Sequence, residues 1–214
     1  MPRPARSLEE IEAEKEKIMK KAVEVINAEG FENFNMRKLG KHLGIAAKTI
    51  YNYYKNKDEL YLTILAYGFK ELFDQCQKAL NNLSNPFDKL EAMGRVYIDF
   101  GLTQSNYYNL MFTWNVPKYN DFANTPFENL ARIELNTSLA IFKLFIDVIR
   151  EARAGLSEED AQFFVIYFWS LVHGYLAGYN NTLLNYMHND PISIKERIIE
   201  TIIRHIKSEF NNIH

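Results

Sequence analysis

From Asn33 to Lys57 the chain carries six basic side chains, Arg37, Lys38, Lys41, Lys48, Lys55 and Lys57, together with His42 and no acid. Within the same stretch Tyr51, Tyr53 and Tyr54 fall in four residues. Cations without neighbouring carboxylates suit an anionic partner, and phenol hydroxyls can donate to phosphate oxygens. Lys48, Thr49 and Asn52 add side chains that donate or accept hydrogen bonds, which is what base edges require. The chemistry this set supports is non-covalent recognition of a polyanion. A solvated charged face is the other reading of the same residues, and charge alone does not separate the two.

Nothing in the chain points to catalysis. It has no nucleophile elbow, phosphate-binding glycine loop, HExxH pair or Cys/His ligand set. Ser170 and His173 are three apart, but no acid is at hand to orient the imidazole. Neither a metal nor a cofactor is expected. Cys76 is the sole cysteine, which excludes an intramolecular disulfide framework and makes a reducing, cytoplasmic setting the expectation. The opening MPRPARSLEEIEAEKEK has no apolar core of the kind a secretory signal needs. The net charge of −2 conceals a polarity. Residues 1–60 hold twelve Lys and Arg against ten Asp and Glu, and residues 61–214 hold thirteen against seventeen.

The elements that must position these residues read as helices throughout. The 214 residues are 47% apolar, with few Gly and Pro and no strand pattern, so the expected fold class is all-α. Ser7-Leu-Glu-Glu10 is a capping box for a first helix running to Glu29, with Ile18, Ala22, Val25 and Ile26 as its apolar stripe. Gly30 stops it, and Phe31 packs back. Asn35 caps a short helix over Met36–Leu43, Gly44 breaks it, and a second short helix is predicted over Ala46–Tyr54. Asn56 opens a long helix reaching Leu80. The turn at 81–86 is a candidate boundary. Further helices are predicted over 87–103, 105–113, 126–153, 158–184 and 192–211, about nine in all.

On a wheel at about 100° per residue, Met36, Leu39, Gly40 and Leu43 share one side of the first short helix, and Arg37, Lys38, Lys41 and His42 share the other. On the second, Ala47, Ile50 and Tyr54 face inward, Lys48, Thr49 and Asn52 face outward, and Tyr51 and Tyr53 sit on the flanks. Two short helices joined at a glycine form a helix-turn-helix, whose second helix enters the major groove. Lys57, at the start of the long helix, is a cation where the helix dipole disfavours one, a placement that suits a phosphate.

At this point about fifty residues, from 16 to 66, resemble the DNA-binding domain of the tetracycline-repressor (TetR) family. The matching features are Ile18 and Ala22, Glu29-Gly30-Phe31, Met36-x-x-Leu39-Gly40, Leu43-Gly44-Ile45, Thr49-Ile50-Tyr51-x-Tyr53-Tyr54 and Asn56-Lys57-Asp58-Glu59-Leu60. The resemblance implies a three-helix DNA-binding domain over residues 1–60, with an N-terminal extension. Beyond it, residues 61–214 would form a larger helical domain that dimerises and binds a small molecule. It implies a dimeric regulator, a repressor released by its effector, acting on a near-palindromic operator in double-stranded DNA. It assigns Thr49, Tyr51, Tyr53 and Lys57 to phosphates and Ala47 and Lys48 to bases. With the helix faces above, the DNA-contacting set is Asn35, Arg37, Lys38, Ala47, Lys48, Thr49, Tyr51, Asn52, Tyr53 and Lys57. Ala46 departs from the serine cap common at that position, which weakens the helix start. Arg3 and Arg6 precede the pattern and could reach a minor groove.

The remainder is rich in aromatic residues. Phe73, Tyr97, Phe100, Phe112, Trp114, Trp169 and His173 are candidates to contact a largely apolar or aromatic effector, and core packing is the plainer reading of each. Trp169-x-x-x-His173-Gly174 resembles the signature of a WHG-type C-terminal domain found in part of the family. Tyr167, Ser170, Gly174, Gly178, Ile198, Ile202 and Ile206 are the expected homodimer contacts on the last two helices. The uncharged run from Ala161 to Met187 leaves a membrane-associated helical protein as the alternative, with an uncharacterised helical enzyme behind it. Its several Asn, Gln, Ser and His residues argue for protein burial and against a membrane partner.

Overall fold

The computed structural model describes residues 6–212; Arg3 lies outside them. Helix α1 (Leu8–Glu29) begins where the sequence places it. Ser7 Oγ accepts from the Glu10 amide at 3.1 Å, and Glu10 Oε2 accepts from the Ser7 amide at 2.8 Å. Its stripe of Ile18, Ala22, Val25 and Ile26 is buried, each isoleucine contributing about 1.5–3 kcal/mol relative to exposure. The helix ends as the Gly30 amide returns to the Ile26 carbonyl. Phe31 is buried against Tyr61, ring centroids 4.6 Å apart.

Helix α2 (Met36–Leu43) is capped by Asn35, whose Oδ1 accepts from the Lys38 amide at 3.0 Å. It closes at Gly44, in the left-handed region at φ +68°, a turn that L side chains rarely adopt. Helix α3 corrects an expectation: only Ala47–Ile50 is helical, not Ala46–Tyr54. Ala46 offers no side-chain cap, and the chain leaves α3 through a turn over 51–53. With so short a run, cooperative helix formation contributes little and packing of Ile50 and Tyr54 holds the segment. Ala46→Ser should therefore raise stability by about 1 kcal/mol, read as an increased urea midpoint at unchanged m-value. Its φ of −67° and ψ of 140° already suit an N-cap.

Helix α4 (Lys57–Leu80) is capped by Asn56, whose Oδ1 accepts from the Glu59 amide at 2.9 Å. There follow α5 (Pro86–Thr103), α6 (Ser105–Tyr108), α7 (Glu128–Ala152), α8 (Glu158–Asn180) and α9 (Lys195–Asn212). The described residues hold these nine α-helices and no strand. Several predicted spans shorten. The segment 105–113 is a single α turn followed by a π turn at Asn109–Thr113. Helix α8 stops at Asn180, two residues before Thr182 adopts φ +60°. Residues 191–194 form a 3-10 turn ahead of α9.

The chain divides into two compact units. The first comprises the residues up to Gly68 with Asn109–Leu135, and the second Phe69–Tyr108 with the residues from Asn136 onward. The turn at 81–86 lies inside the second unit. In the first, α1 packs on α2 and α2 on α3. Tyr61 is fully buried and its hydroxyl donates to the Pro117 carbonyl at 3.1 Å. Glu134 is the one buried charged side chain among the described residues, and burial holds its carboxyl above the usual carboxylate range, against the pull of Lys118.

In the second unit α5, α8 and α9 pack together. Gly94 and Gly101 of α5 bring it close to Phe168 and Leu176 of α8. Phe164 and Phe210 meet edge to face at 4.8 Å. Arg95–Glu196 at 2.6 Å and Lys195–Asp99 at 2.8 Å tie α9 to α5 at the surface. Ile202 and Ile206 of α9 are buried in the unit's own core, and Ile202 also lines a groove between α8 and α9. Among the described residues no helix is long and apolar enough to cross a membrane.

Candidate nucleic-acid interface

Helices α2 and α3 are held together by close backbone approach. The Ile45 amide donates to the Gly40 carbonyl at 3.0 Å. An added Cβ on Gly40 would lie 2.8 Å from the Ile45 carbonyl oxygen and 3.1 Å from the Ala47 amide nitrogen. The three tyrosines separate as the wheel suggests. Tyr54 is buried, and its hydroxyl donates to the Lys15 carbonyl at 3.3 Å, tying the turn after α3 to α1. Tyr51 is 51% exposed, and Tyr53 is half-buried. Lys48 and Asn52 are exposed, with Ala47 and Thr49 half-buried beside them. The outward face thus gathers Lys48, Thr49, Tyr51, Asn52 and Tyr53.

The basic side chains of this region differ in their commitments. Lys38 Nζ reaches Glu29 at 2.6 Å, and His42 Nε2 lies 3.2 Å from the other oxygen of the same carboxylate. These bonds, that from Lys38 foremost, hold the Glu29 carboxyl below its usual range. Lys38 and His42, both expected on the basic side of α2, therefore meet an acid of α1. In the sequence only the helical spacing of Glu29 from Val25 and Ala22 hints that it faces α2. Among the described residues the side chains of Arg37, Lys41, Lys48 and Lys55 form no ion pair, although the Lys55 amide donates to Glu59 Oε2 at 2.6 Å. Lys57 Nζ donates to the Phe31 carbonyl at 2.8 Å and stands 3.9 Å above the Phe31 ring. Asn35 is exposed and serves as the α2 cap.

The aromatic candidates of the second unit meet in part. His173 Nδ1 lies 2.9 Å from the Tyr97 hydroxyl and 2.8 Å from that of Tyr108. Trp169 stacks on the imidazole at 4.6 Å, and its Nε1 donates to the Tyr97 oxygen at 3.1 Å. Burial lowers the His173 pKa, and Nδ1, with a single lone pair, can accept the proton of one of the two phenols. This hydrogen bonding accounts for an imidazole on an apolar helix. Tyr108 completes the cluster, and in the sequence only its place in an aromatic run marks it. Phe100 is buried and Phe73 half-buried in the same unit, whereas Phe112 and Trp114, both half-buried, belong to the first.

Of the expected dimer contacts, Ser170 and Gly174 are exposed, and Tyr167, Gly178 and Ile198 half-buried. Exposed Phe163, Ile166 and Leu171 extend this uncharged surface of α8. A groove between α8 and α9 is lined by Tyr167, Leu171, Tyr175, Arg197, Ile198 and His205 among others.

A glycine-jointed helix pair, set on a longer helix and exposing Lys48, Tyr51 and Asn52, defines a helix-turn-helix DNA-binding protein. The family model of bacterial regulatory proteins of the tetR family matches residues 18–64, and that of the tetracyclin repressor-like C-terminal domain matches residues 90–202. The chain belongs to the TetR family of transcriptional regulators. A tetR-family regulatory protein from Rhodococcus shares the fold with TM-score 0.70 at 17% identity, over 90% of this chain and 96% of that one. The regulator FadR from Bacillus subtilis, solved in complex with stearoyl-CoA, does so with TM-score 0.65 at 14% identity, over 87% and 96%. A ketosteroid transcriptional regulator of Mycobacterium tuberculosis gives 0.65 at 11%, over 92% and 94%. Among curated proteins none matches this sequence.

Proposed function

We propose that the protein is a homodimeric repressor that reads a near-palindromic operator and is released by a small, largely apolar effector. The observation that carries the reading is the exposed face of Lys48, Tyr51 and Asn52, which has no acid on it. Lys48, Thr49 and Asn52 meet base edges in the major groove, and Ala47 leaves room for α3 to approach. Tyr51, Tyr53, Lys57 and Arg37 meet phosphates, fixing register. The uncharged α8 surface around Tyr167, Ser170 and Gly174, with Ile198 of α9, pairs two copies about a two-fold axis. Two recognition helices then fall on successive major grooves. The effector binds the state that holds these helices at the wrong spacing, since only differential affinity shifts an equilibrium. The stearoyl-CoA complex of the Bacillus subtilis regulator and the ketosteroid regulator support an apolar ligand class.

The test is footprinting of the purified protein on DNA upstream of its own gene, with two substitutions. Lys48→Ala should relax base preference by ~1–3 kcal/mol at one position per half-site. Lys57→Ala should weaken all sequences alike and reduce the salt slope by about 1. If neither substitution alters binding, this face of the domain does not read DNA.

A further inference from the structure

We infer that Arg6 extends the nucleic-acid interface, its guanidinium binding a backbone phosphate next to the one that Tyr53 contacts. The inference rests on the reading of α3 just proposed. Two bonds fix where Arg6 stands. The capping box sets the direction of the chain at Ser7, and the Tyr54 hydroxyl on the Lys15 carbonyl ties α1 to the turn after α3. The residue before the cap then falls beside that turn: Arg6 Cζ lies 5.9 Å from the centroid of the Tyr53 ring.

The local chemistry leaves the guanidinium available. Arg6 is exposed. Glu10 already accepts from the Ser7 amide, and no described acid, Glu9 included, forms an ion pair with Arg6. A cation just ahead of a helix N-terminus opposes the helix dipole, so α1 gains nothing from it. The ring contact is of the weak surface kind. That is enough to bias where the guanidinium points, and it leaves the planar fork of donors open. Such a fork matches phosphate oxygens in pairs. Tyr53, on the flank of the base-reading face, thus carries its own hydroxyl toward the sugar-phosphate backbone and supports a cation beside it.

The experiment measures binding of the full chain by fluorescence anisotropy between 50 and 200 mM salt, on the upstream fragment and on a random duplex of equal length. Arg6→Ala should weaken binding about fivefold at 150 mM salt on both duplexes and reduce the salt slope by about 0.9 per engaged protomer. Arg6→Lys should keep most of the slope, since the charge remains. The unfolding midpoint of both variants should match the parent, because Arg6 is exposed and precedes the first helix. Parental affinity and slope for Arg6→Ala would overturn this inference while leaving the α3 reading intact. A loss confined to the upstream fragment would also overturn it, by showing base contact in place of phosphate contact. Failure of the unmodified protein to bind either duplex would overturn both.

Discussion

Gly40→Ala should abolish DNA binding and lower stability together. The added Cβ meets backbone atoms alone: the Ile45 carbonyl oxygen, the Ala47 amide nitrogen and, at 3.4 Å, Ala47 Cα. A flexible side chain could swing aside, but these atoms move only if the start of α3 moves. That start has no side-chain cap to hold it, because Ala46 supplies none. Overpacking of this kind costs roughly 1–3 kcal/mol, and the bond from the Ile45 amide to the Gly40 carbonyl is strained with it. Displacing α3 from α2 also misaligns Lys48 and Asn52 relative to Tyr51 and Tyr53. Urea unfolding and anisotropy on the upstream fragment would check both effects. A variant with parental stability and affinity would show that α2 and α3 have more room than their backbones display.

Gly101→Ala should destabilise the second unit by overpacking, and part of the loss should be recoverable. Its Cβ would lie 2.1 Å from Leu176 Cδ2 and 2.9 Å from Cγ. Leu176 is fully buried, so it cannot rotate into solvent. We expect a loss of about 1–3 kcal/mol. Leu176→Ala alone leaves a cavity and should cost about 2–5 kcal/mol. The double variant should lose less than the two together, with a coupling of roughly 0.5–3 kcal/mol, because the new methyl occupies space that leucine vacates. Additive losses in urea titrations would mean that the α5–α8 contact relaxes elsewhere.

Much of this arrangement is legible in the sequence because local signals carry it. Ser7, Asn35 and Asn56 each cap a helix through a short-range bond, and Gly30 and Gly44 end helices with backbone angles that few other residues accept. Where tertiary packing decides, periodicity misleads. Ala46–Tyr54 reads as one helix, yet it turns after Ile50 while Tyr54 reaches the Lys15 carbonyl. The stripe of α9 reads as wide enough for two partners, and periodicity alone does not show that Ile202 and Ile206 are buried within one chain. The charge pattern marks Lys38 as a free cation, because nothing local pairs it with an acid nine residues earlier. The cluster of Tyr97, Tyr108, Trp169 and His173 joins α5, α6 and α8, and only the spacing of Trp169 and His173 is visible in the chain.

The position of Lys57 has an entropic side. A free lysine side chain gives up roughly 1.5–2 kcal/mol of rotamer freedom when it is immobilised. Here the ammonium is already held by the Phe31 carbonyl and stationed over the Phe31 ring, so that ordering is completed when the domain folds. On the proposed reading, a phosphate arriving at α4 would find the cation in place and little freedom left to remove. Preorganisation of this kind divides the residue between two equilibria: it serves the folded domain before any nucleic acid is present. The loss of affinity expected on removing Lys57 should thus contain a term from the domain itself, measurable by unfolding the variant in the absence of DNA.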